Sequence, residues 1–507
     1  MSAHVNSWLA FVLAALLAAT PARADVTLPK ILGDNMVLQR DQPVLIWGAA
    51  AAGDEVSVKF SGQEKHARPA ANGRWQVALD SLKASATPQE LIITATNTAQ
   101  PASNGETILK NVLVGEVWFC GGQSNMEYSV NAPSSSAPSA VPGDPALAQE
   151  LQAETYPQIR LFRVEKQTRS PGIVTNGWTD CAGDALNKFS ATGFFFARNL
   201  QRALGVPVGM VGSYWGGSRL EQWIPPEAFQ KRPAFAKETA APGRLLIDGR
   251  APGDYFNSMI RDLAPFTLRG MLWYQGESNI IASNDGVRYA DKMQALVDYW
   301  RGLWHDEHLP FYQVQIAPFL YTSRTADFTV DKKTQIVHGL DELPKLWEAQ
   351  FLATRLPNVE VVPTTDLDSN FQNIHPNGKR AVGQRLAHLA LTKVYGQKTP
   401  AAQGPWYAGM TVKGHQAVVA FANTGGQLST RDGQPPALFE IAGADGIFQP
   451  ATATIAGDTV ILENKDVAAP AAVRLGWSET AQPNLVNIDG LPAYPFRSNG
   501  PDWHPSP

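Results

Sequence analysis

The stretch VLVGEVWFCGGQSNM, Val112–Met126, predicts a buried strand that ends in a polar turn. Its first nine residues are almost continuously apolar, which is typical of a parallel strand covered on both faces. The turn that follows carries two glycines and then Ser124, and it leads into a segment with helical character. We therefore expect an α/β fold in which Ser124 stands at the end of a buried strand.

Strand-like and helix-like segments alternate on the C-terminal side of this stretch. The helix predicted from Tyr289 to Trp304 has the clearest stripe of apolar residues at helical spacing. The other predicted segments are strands at 206–211, 268–274, 311–316 and 359–362, and helices at 190–204, 343–356 and 379–395. This alternation predicts a parallel sheet covered by helices on both faces.

The two ends of the chain show a different pattern of short β-like runs. Residues 25–109 contain such runs separated by Gly, Pro and Asn, which predicts a small sandwich-like β module. Residues 398–507 return to β-like runs after the last helix of the central part. We therefore expect an N-terminal β module at 25–109, a catalytic domain at 110–397 and a C-terminal β region at 398–507.

The N-terminus indicates export. An apolar run from Leu9 to Ala19 is too short to span a bilayer and precedes Ala22-Arg23-Ala24, a typical cleavage pattern. We therefore expect a signal peptide at 1–24, cleaved after Ala24, and a periplasmic or secreted protein. The alternative is a buried N-terminal helix. No later segment is long and apolar enough for a membrane anchor.

Composition excludes several classes of protein. The 507 residues carry a net charge of −4 and no run of Lys or Arg, which argues against a nucleic-acid partner. The 14 Trp and 21 Phe residues supply a core that a disordered chain would lack. The two cysteines, Cys120 and Cys181, are too few for a disulfide scaffold. They could pair after export, or Cys120 could be a buried inert thiol.

Polar clusters follow the predicted strands, where α/β sheets bind their ligands. These clusters begin at Gly121, Ser213, Gln275 and Asp366, and the last of them contains His375. Together they offer a hydroxyl, glycines, amides, carboxylates and an imidazole, which are the parts of an acyl-transfer site. Taken alone, Ser124 could equally be a helix N-cap and His375 a structural histidine.

Several of these clusters resemble one known family. The sequences around Ser124, Trp215-Gly216-Gly217, Trp273–Asn279 and Ile374-His375-Pro376 with Lys379 resemble the sialate O-acetylesterase family, a branch of the SGNH hydrolases. The tail from Pro483 to Arg497 resembles it as well. The resemblance implies a flavodoxin-like SGNH core and an esterase acting on acetylated carbohydrates, either O-acetyl sialic acid or plant polysaccharides such as xylan or xyloglucan. It implies no cofactor and no metal.

The same resemblance assigns roles to individual residues. It makes Ser124 the nucleophile that forms an acetyl-enzyme and His375 the general base. The implied oxyanion-hole donors are the backbone N–H of Ser124, the backbone N–H of Gly216 or Gly217, and the side-chain amide of Gln275 in preference to Asn279.

One departure leaves the third catalytic group open. SGNH hydrolases generally carry an Asp three residues before the catalytic His, whereas Gln372 and then Asn373 precede His375 here. Asp366 or Asp368 could orient the imidazole, because a triad is defined by geometry and not by spacing. Otherwise the site is a Ser–His dyad in which a backbone carbonyl holds the imidazole.

Alternative functions remain at this point. A glycoside hydrolase would use a pair of carboxylates such as Glu277 and Asp368, and a non-catalytic carbohydrate-binding protein would use neither. His305 and His308 could suggest a metal, but we interpret them as a solvated helix end. Arg219 could pair with a substrate carboxylate, although a structural ion pair is the favoured interpretation. The oligomeric state is open.

Overall fold

The computed structural model describes most of the chain in two compact units. The predicted signal peptide lies outside the described residues. The smaller unit contains residues 26–28, 46–77 and the described parts of 91–108, and the larger unit contains 29–45, 78–90 and the described residues from 109 onward. The described ranges are 26–97, 105–131, 149–151, 153–168, 172–324 and 338–501.

The N-terminal part is made of β-strands, as predicted. Its strands are β1 (Val37–Gln39), β2 (Val44–Ala49), β3 (Asp54–Phe60), β4 (Gln63–Ala67), β5 (Arg74–Leu79) and β6 (Ser85–Asn97). Strand β3 pairs antiparallel with both β4 and β6, with Val56 opposite Ala67 on one side and Ala95 on the other. Alternate residues of β3 are buried, because successive side chains of a strand point to opposite faces.

The central part of the chain combines strands and helices. Its strands are β7 (Gly105–Gly122), β8 (Tyr156–Val164), β9 (Thr175–Cys181), β10 (Val208–Tyr214), β11 (Gly270–Tyr274), β12 (Phe311–Val314) and β13 (Val359–Val362). Its helices are α1 (Ser124–Glu127), α2 (Gly183–Lys188), α3 (Ala191–Leu204), α4 (Pro226–Gln230), α5 (Ala236–Ala240), α6 (Glu277–Ile281), α7 (Tyr289–Trp304), α8 (Glu342–Leu352) and α9 (Lys379–Lys393).

These strands form one sheet in the order β13-β12-β11-β7-β10-β8-β9. All neighbours are parallel except the edge strand β9, which is antiparallel to β8. Strand β7 lies between β10 and β11, and every residue from Val112 to Gly122 is buried. Strand β10 pairs with one side of β7, and the next strand along the chain, β11, pairs with the other side. The direction in which successive strands are added to the sheet therefore reverses at β7. That position is where open α/β sheets place their ligands.

The predicted helices and strands of this part are confirmed within a few residues. Helix α7 has the predicted bounds, and α3 begins after Ser190, whose side chain accepts a hydrogen bond from the Gly193 N–H. Strands β8 and β9 were not predicted. In β8 the apolar residues are interrupted by Arg160 and Arg163, so the segment lacks the continuous apolar run that revealed the inner strands.

The C-terminal part is β-structured and packs on the helices and strands before it. Its strands are β14 (Trp406–Lys413), β15 (Gln416–Ala422), β16 (Ser429–Thr430), β17 (Phe439–Ala442), β18 (Gln449–Pro450), β19 (Thr452–Ala456), β20 (Thr459–Glu463), β21 (Ala472–Leu475), β22 (Leu485–Val486) and β23 (Phe496–Arg497). They form two four-stranded sheets, β14-β15-β20-β19 and β18-β17-β21-β23, and the pair β16-β22. Phe351 and Val361 share their hydrophobic core.

Two polar contacts also hold the tail on the central part. The Tyr494 hydroxyl donates to the carbonyl of Val361 over 2.6 Å. The Arg497 guanidinium donates twice to the Glu348 carboxylate, at 3.0 and 2.8 Å. The C-terminal β region is thus integrated with the α/β part through a buried acid and a common core. Among the described helices, none has the length and apolar character required to cross a bilayer.

Candidate active site

Ser124 lies at the carboxyl end of β7, as predicted. Gly122 before it adopts a φ of +139°, and a Cβ at this position would lie 2.1 Å from the carbonyl oxygen of Tyr274 on β11. Only glycine therefore lets the end of β7 pass so close to its neighbour. Ser124 is half-buried, whereas Gln123 and Asn125 on either side are buried, so the turn presents the serine and hides its neighbours.

His375 lies in the loop between β13 and α9 and is half-buried. The side chain of Asn373 brackets its main chain, since Oδ1 accepts from the His375 N–H over 3.0 Å and Nδ2 donates to the His375 carbonyl over 2.9 Å. This histidine loop also contacts the helix α1, which begins at Ser124. Asn125 Nδ2 donates to the Ile374 carbonyl over 3.0 Å, and the Tyr128 hydroxyl donates to Asn377 Oδ1 over 2.7 Å.

The two candidate acids differ in their partners. Arg385 donates to both oxygens of Asp366, at 2.8 and 2.6 Å, so Asp366 is committed to an ion pair and not to the imidazole. Asp368 accepts from the backbone N–H of Asn370 over 2.9 Å. Its charge also acts on Lys379, the first residue of α9, which directly follows the histidine loop. Of the two carboxylates, Asp368 is therefore the one whose charge is felt beside the histidine loop.

The turn that contains Gly216 and Gly217 lies beside the serine. A Cβ on Gly216 would stand 3.3 Å from the Cβ of Ser124. The Gly216 N–H donates to Glu127 Oε2 over 2.7 Å, and Lys166 pairs with the other oxygen of that carboxylate. Within the described part of the chain, the Gly217 N–H has no hydrogen-bond acceptor, and its φ of +74° suits glycine.

The side-chain amide of Gln275 makes its hydrogen bonds within the protein, whereas the sequence predicted that it would donate to the oxyanion. The side chain is completely buried, and Nε2 donates to oxygens of Gln123, Ser218 and Asn279 at 2.7 to 3.1 Å. The Tyr289 hydroxyl donates to Gln275 Oε1 over 2.7 Å. Because an amide has only two N–H donors, none is left for an oxyanion. Gln275 instead joins the ends of β7, β10 and β11.

Asn279 is also consumed by internal contacts. Its Oδ1 accepts from the Leu220 N–H over 2.9 Å, and its Nδ2 donates to Glu221 and Asp285 at 3.2 and 2.8 Å. The family-like block from Trp273 to Asn279 therefore serves mainly to assemble the strand ends. Its amides stabilise the frame of the site.

Glu277 is buried beside helix α1. Its Oε1 accepts from Asn125 Nδ2 over 2.5 Å, while Oε2 has no hydrogen-bond partner among the described residues. Burial raises the pKa of the Glu277 carboxyl above its ordinary value, although the bond from Asn125 and the charge of Lys379 oppose this effect. With 1% exposure, Glu277 cannot flank a sugar in a pair with Asp368.

Lys379 is buried between the Ser124 turn and the histidine loop. Its Nζ donates to Asn125 Oδ1 over 2.7 Å and to the Pro376 carbonyl over 2.6 Å. Burial lowers the pKa of Lys379 to about 7, against the attraction of Glu277 and Asp368. The sequence places Lys379 in a family-like block but indicates no role for it.

A cluster of three carboxylates holds a lysine. Oxygens of Glu221, Asp248 and Asp285 lie within 4.8 Å of one another, close enough to share a cation. The Lys292 ammonium lies 2.5 to 2.7 Å from all three. Arg219 donates to Glu221 over 2.7 Å and is largely buried. Arg219 thus forms a structural ion pair, as the favoured interpretation held.

The remaining candidate groups lie away from this chemistry. Cys120 and Cys181 are buried and unpaired, so the alternative of a disulfide is wrong. Burial raises the pKa of both thiols. His305 caps the end of α7 and is exposed, as is His308, which agrees with a solvated helix end.

A half-exposed serine at the end of a central parallel strand, tied to a histidine loop, is typical of a serine-dependent ester hydrolase. The family model "Carbohydrate esterase, sialic acid-specific acetylesterase" matches residues 114–392. That match covers more than half of the chain, and the chain belongs to this family. The resemblance noted in the sequence is therefore confirmed.

Individual relatives agree with the family. The chain is 28% identical over 406 residues to sialate O-acetylesterase from Homo sapiens, covering 74% of this chain and 72% of the relative. The corresponding protein from Rattus norvegicus is 29% identical over 434 residues, covering 73% and 74%. A crystal structure of a carbohydrate acetylesterase from Xanthomonas citri is 34% identical, with a TM-score of 0.77, and covers 94% of this chain and 100% of that chain.

The chain is therefore a carboxylic ester hydrolase that removes O-acetyl groups from carbohydrates. Neither the glycoside hydrolase nor the non-catalytic binding protein considered above agrees with this result.

Proposed function

We propose that Ser124 is the nucleophile and His375 the general base of this deacetylation. The observation that carries the proposal is the hydrogen bond from Asn125, next to the serine, to the carbonyl of Ile374, next to the histidine. Ser124 Oγ attacks the acetyl carbonyl while His375 takes the hydroxyl proton, which it then gives to the departing sugar oxygen. Water hydrolyses the acetyl-enzyme with His375 again as base.

The oxyanion is held by backbone donors in this proposal. Ser124 is the first residue of α1, so its N–H has no partner within the helix. The Gly217 N–H is the second donor, because the Gly216 N–H donates to Glu127. Gln275 is not a donor in this proposal, because both N–H groups of its amide bond within the protein. Loss of one oxyanion donor typically lowers kcat by about 10²–10³-fold.

Asp368 is the acid that we propose to stabilise the imidazolium. Its charge acts on Tyr128 and Lys379, both of which contact the histidine loop, whereas Asp366 is paired with Arg385. A D368N variant is expected to lose kcat by about 10²-fold or more while a D366N variant loses mainly stability. Equal, small losses in kcat would instead favour a Ser–His dyad.

We propose a neutral acetylated polysaccharide such as xyloglucan or xylan as the substrate, with O-acetyl sialic acid as the second candidate. The cations near the site are engaged, since Arg219 pairs with Glu221 and Lys166 with Glu127. Trp215 is half-buried beside Gly216 and stacks on Tyr255 at 4.6 Å between ring centroids. The half-buried Trp215 of this aromatic pair is the surface that a sugar ring contacts in this proposal, beside Lys166, whose ammonium lies over the Trp215 ring at 6.0 Å from its centroid.

The strand order also supports an SGNH, flavodoxin-like core. With β8 and β9 set aside, the spatial order of β7, β10, β11, β12 and β13, numbered 1 to 5 along the chain, is 2-1-3-4-5. That order is the flavodoxin-like one.

We further propose a signal peptide at 1–24, an N-terminal β module at 25–109, a catalytic domain at 110–397, a C-terminal β region at 398–507 and a periplasmic or secreted location. N-terminal sequencing of the mature protein, expected to begin at Asp25, tests the cleavage.

The central experiment replaces the serine. We expect S124A to lose acetate release from acetylated xylan, xyloglucan and O-acetyl sialic acid, and to lose hydrolysis of p-nitrophenyl acetate. S85A is the matched control, because Ser85 is half-buried like Ser124 and, within the described residues, its hydroxyl bonds only locally to Thr87. Unchanged turnover in S124A would refute the proposed nucleophile. The ratio of activities of the natural enzyme on the three substrates tests the substrate.

A further inference from the structure

We propose that Asn125 and Lys379 act as positioning residues that hold the main chain of His375 against the nucleophile helix. The inference rests on the proposed roles of Ser124 and His375. Neither side chain is exposed, so neither contacts the sugar. Their effect on the reaction is to set where the imidazole stands relative to the serine hydroxyl.

The first half of this arrangement is the amide of Asn125. Its Nδ2 donates to Glu277 Oε1 over 2.5 Å and to the Ile374 carbonyl over 3.0 Å, which uses both of its N–H groups. Its Oδ1 accepts from Lys379 over 2.7 Å. Three partners on three different segments therefore fix the orientation of this amide. The residue after the nucleophile thereby holds the residue before the base.

The second half is the ammonium of Lys379. It donates to the Pro376 carbonyl over 2.6 Å, as well as to Asn125. The rings of Tyr128 and Tyr274 face the same cation, with Nζ 4.5 and 5.4 Å from their centroids. A cation near aromatic faces is stabilised by their quadrupoles. Lys379 is therefore held from several sides although it has no contact with water.

Together the two residues hold the carbonyls on both sides of His375. Asn125 binds the one before it and Lys379 the one after it, and the two side chains bind each other. Asn373 holds the N–H and the carbonyl of the histidine itself. A main chain held at three consecutive residues limits the positions of the imidazole. This explains how the site can keep its base in place with Gln372 where SGNH hydrolases generally carry an Asp.

The test removes the ammonium and preserves the volume. K379M keeps an unbranched side chain of similar length in the buried site. We expect kcat on p-nitrophenyl acetate to fall about 10–100-fold, since misplacement by about 1 Å costs up to about 10²-fold. KM is expected to stay within about threefold. A fluorophosphonate probe adds two readouts, because the end point of labelling counts folded sites and its rate reports activation of Ser124.

A second variant keeps the test decisive if K379M does not fold. N125D retains an acceptor for Lys379 but loses the donors to Glu277 and Ile374, and we expect the same loss in kcat and labelling rate. K393M is the control, since Lys393 lies on the same helix and pairs with Glu360 near the surface.

The outcomes are distinguishable. A folded variant with reduced kcat per labelled site and nearly unchanged KM supports the positioning role. Folded variants with kcat per labelled site within about twofold of the natural enzyme, and a loss confined to melting temperature, overturn it. If S124A itself stays active and K379M loses kcat, the proposed nucleophile fails and not the importance of Lys379.

Discussion

The buried ammonium of Lys379 predicts an unusual dependence of stability on pH. Burial lowers its pKa to about 7 in the folded protein, from 10.5 ordinarily, despite the opposing charges of Glu277 and Asp368. Between these two values the unfolded chain binds one proton more than the folded chain. Stability contributed by this residue therefore rises with pH from about 7 and levels off near 10.5.

The magnitude follows from the two pKa values. The full difference between 10.5 and about 7 corresponds to about 5 kcal/mol. Between pH 7 and pH 9 the expected gain in the free energy of unfolding is about 2 kcal/mol. Solvent does not screen this charge in the folded protein, because Lys379 has no exposed surface.

Urea unfolding at pH 7, 8 and 9 and constant ionic strength measures this effect. The natural enzyme is compared with K379M, which has no ionisable group at this position, and with K393M as a control on the same helix. The difference in unfolding free energy between the natural enzyme and K379M should grow by about 2 kcal/mol over this range. Titratable groups remote from Lys379 contribute equally to both proteins, whereas loss of the ammonium lets the pKa of Glu277 rise further in K379M. Parallel pH dependences in the two would refute the low pKa of Lys379.

Three further predictions concern Gly122 beside the serine, the two buried thiols and the C-terminal tail. G122A should lose nearly all activity and melt lower, as followed by calorimetry and acetate release, because its Cβ would lie 2.1 Å from a carbonyl of the next strand. Cys120 and Cys181 should not react with Ellman's reagent until the protein unfolds, and a reductant should leave the melting temperature unchanged. R497M should destabilise the protein by about 2–4 kcal/mol, since it leaves the buried Glu348 without its cation. The double variant E348Q/R497M should recover part of that loss. An unchanged melting temperature in R497M alone would contradict the integration of the C-terminal tail.

Much of the fold could be predicted from local patterns. Strand β7 and the inner strands are apolar runs, and α7 has a clear helical stripe, so both are visible in the sequence. Strands β8 and β9 are not visible in the sequence, because their polar residues find hydrogen-bond and ion-pair partners across the strand pair. The guanidinium of Arg160 lies 2.9 Å from a carboxylate oxygen of Asp180, and such a partner is not apparent from neighbours in the chain.

The candidate site was predictable in its motifs and less so in its contacts. Ser124 and His375 stand in recognisable blocks, and the structure ties these blocks together. The hydrogen bond between Lys379 and Asn125 joins residues 254 positions apart, so no local spacing could predict it. Glu127 was missed for the same reason, since its partner Gly216 belongs to another strand end. For Lys379, the one available signal in the sequence was its place in a family-like block.

By itself the sequence determined the α/β class, the serine and histidine blocks and the family, because apolar periodicity and short motifs are local properties. Only the tertiary structure decided which polar groups remain available for chemistry. Gln275, Asp366 and Arg219 have suitable side chains, but each is bound to protein partners. A buried polar group must find a partner, and which partner it finds depends on segments that meet only in the folded chain.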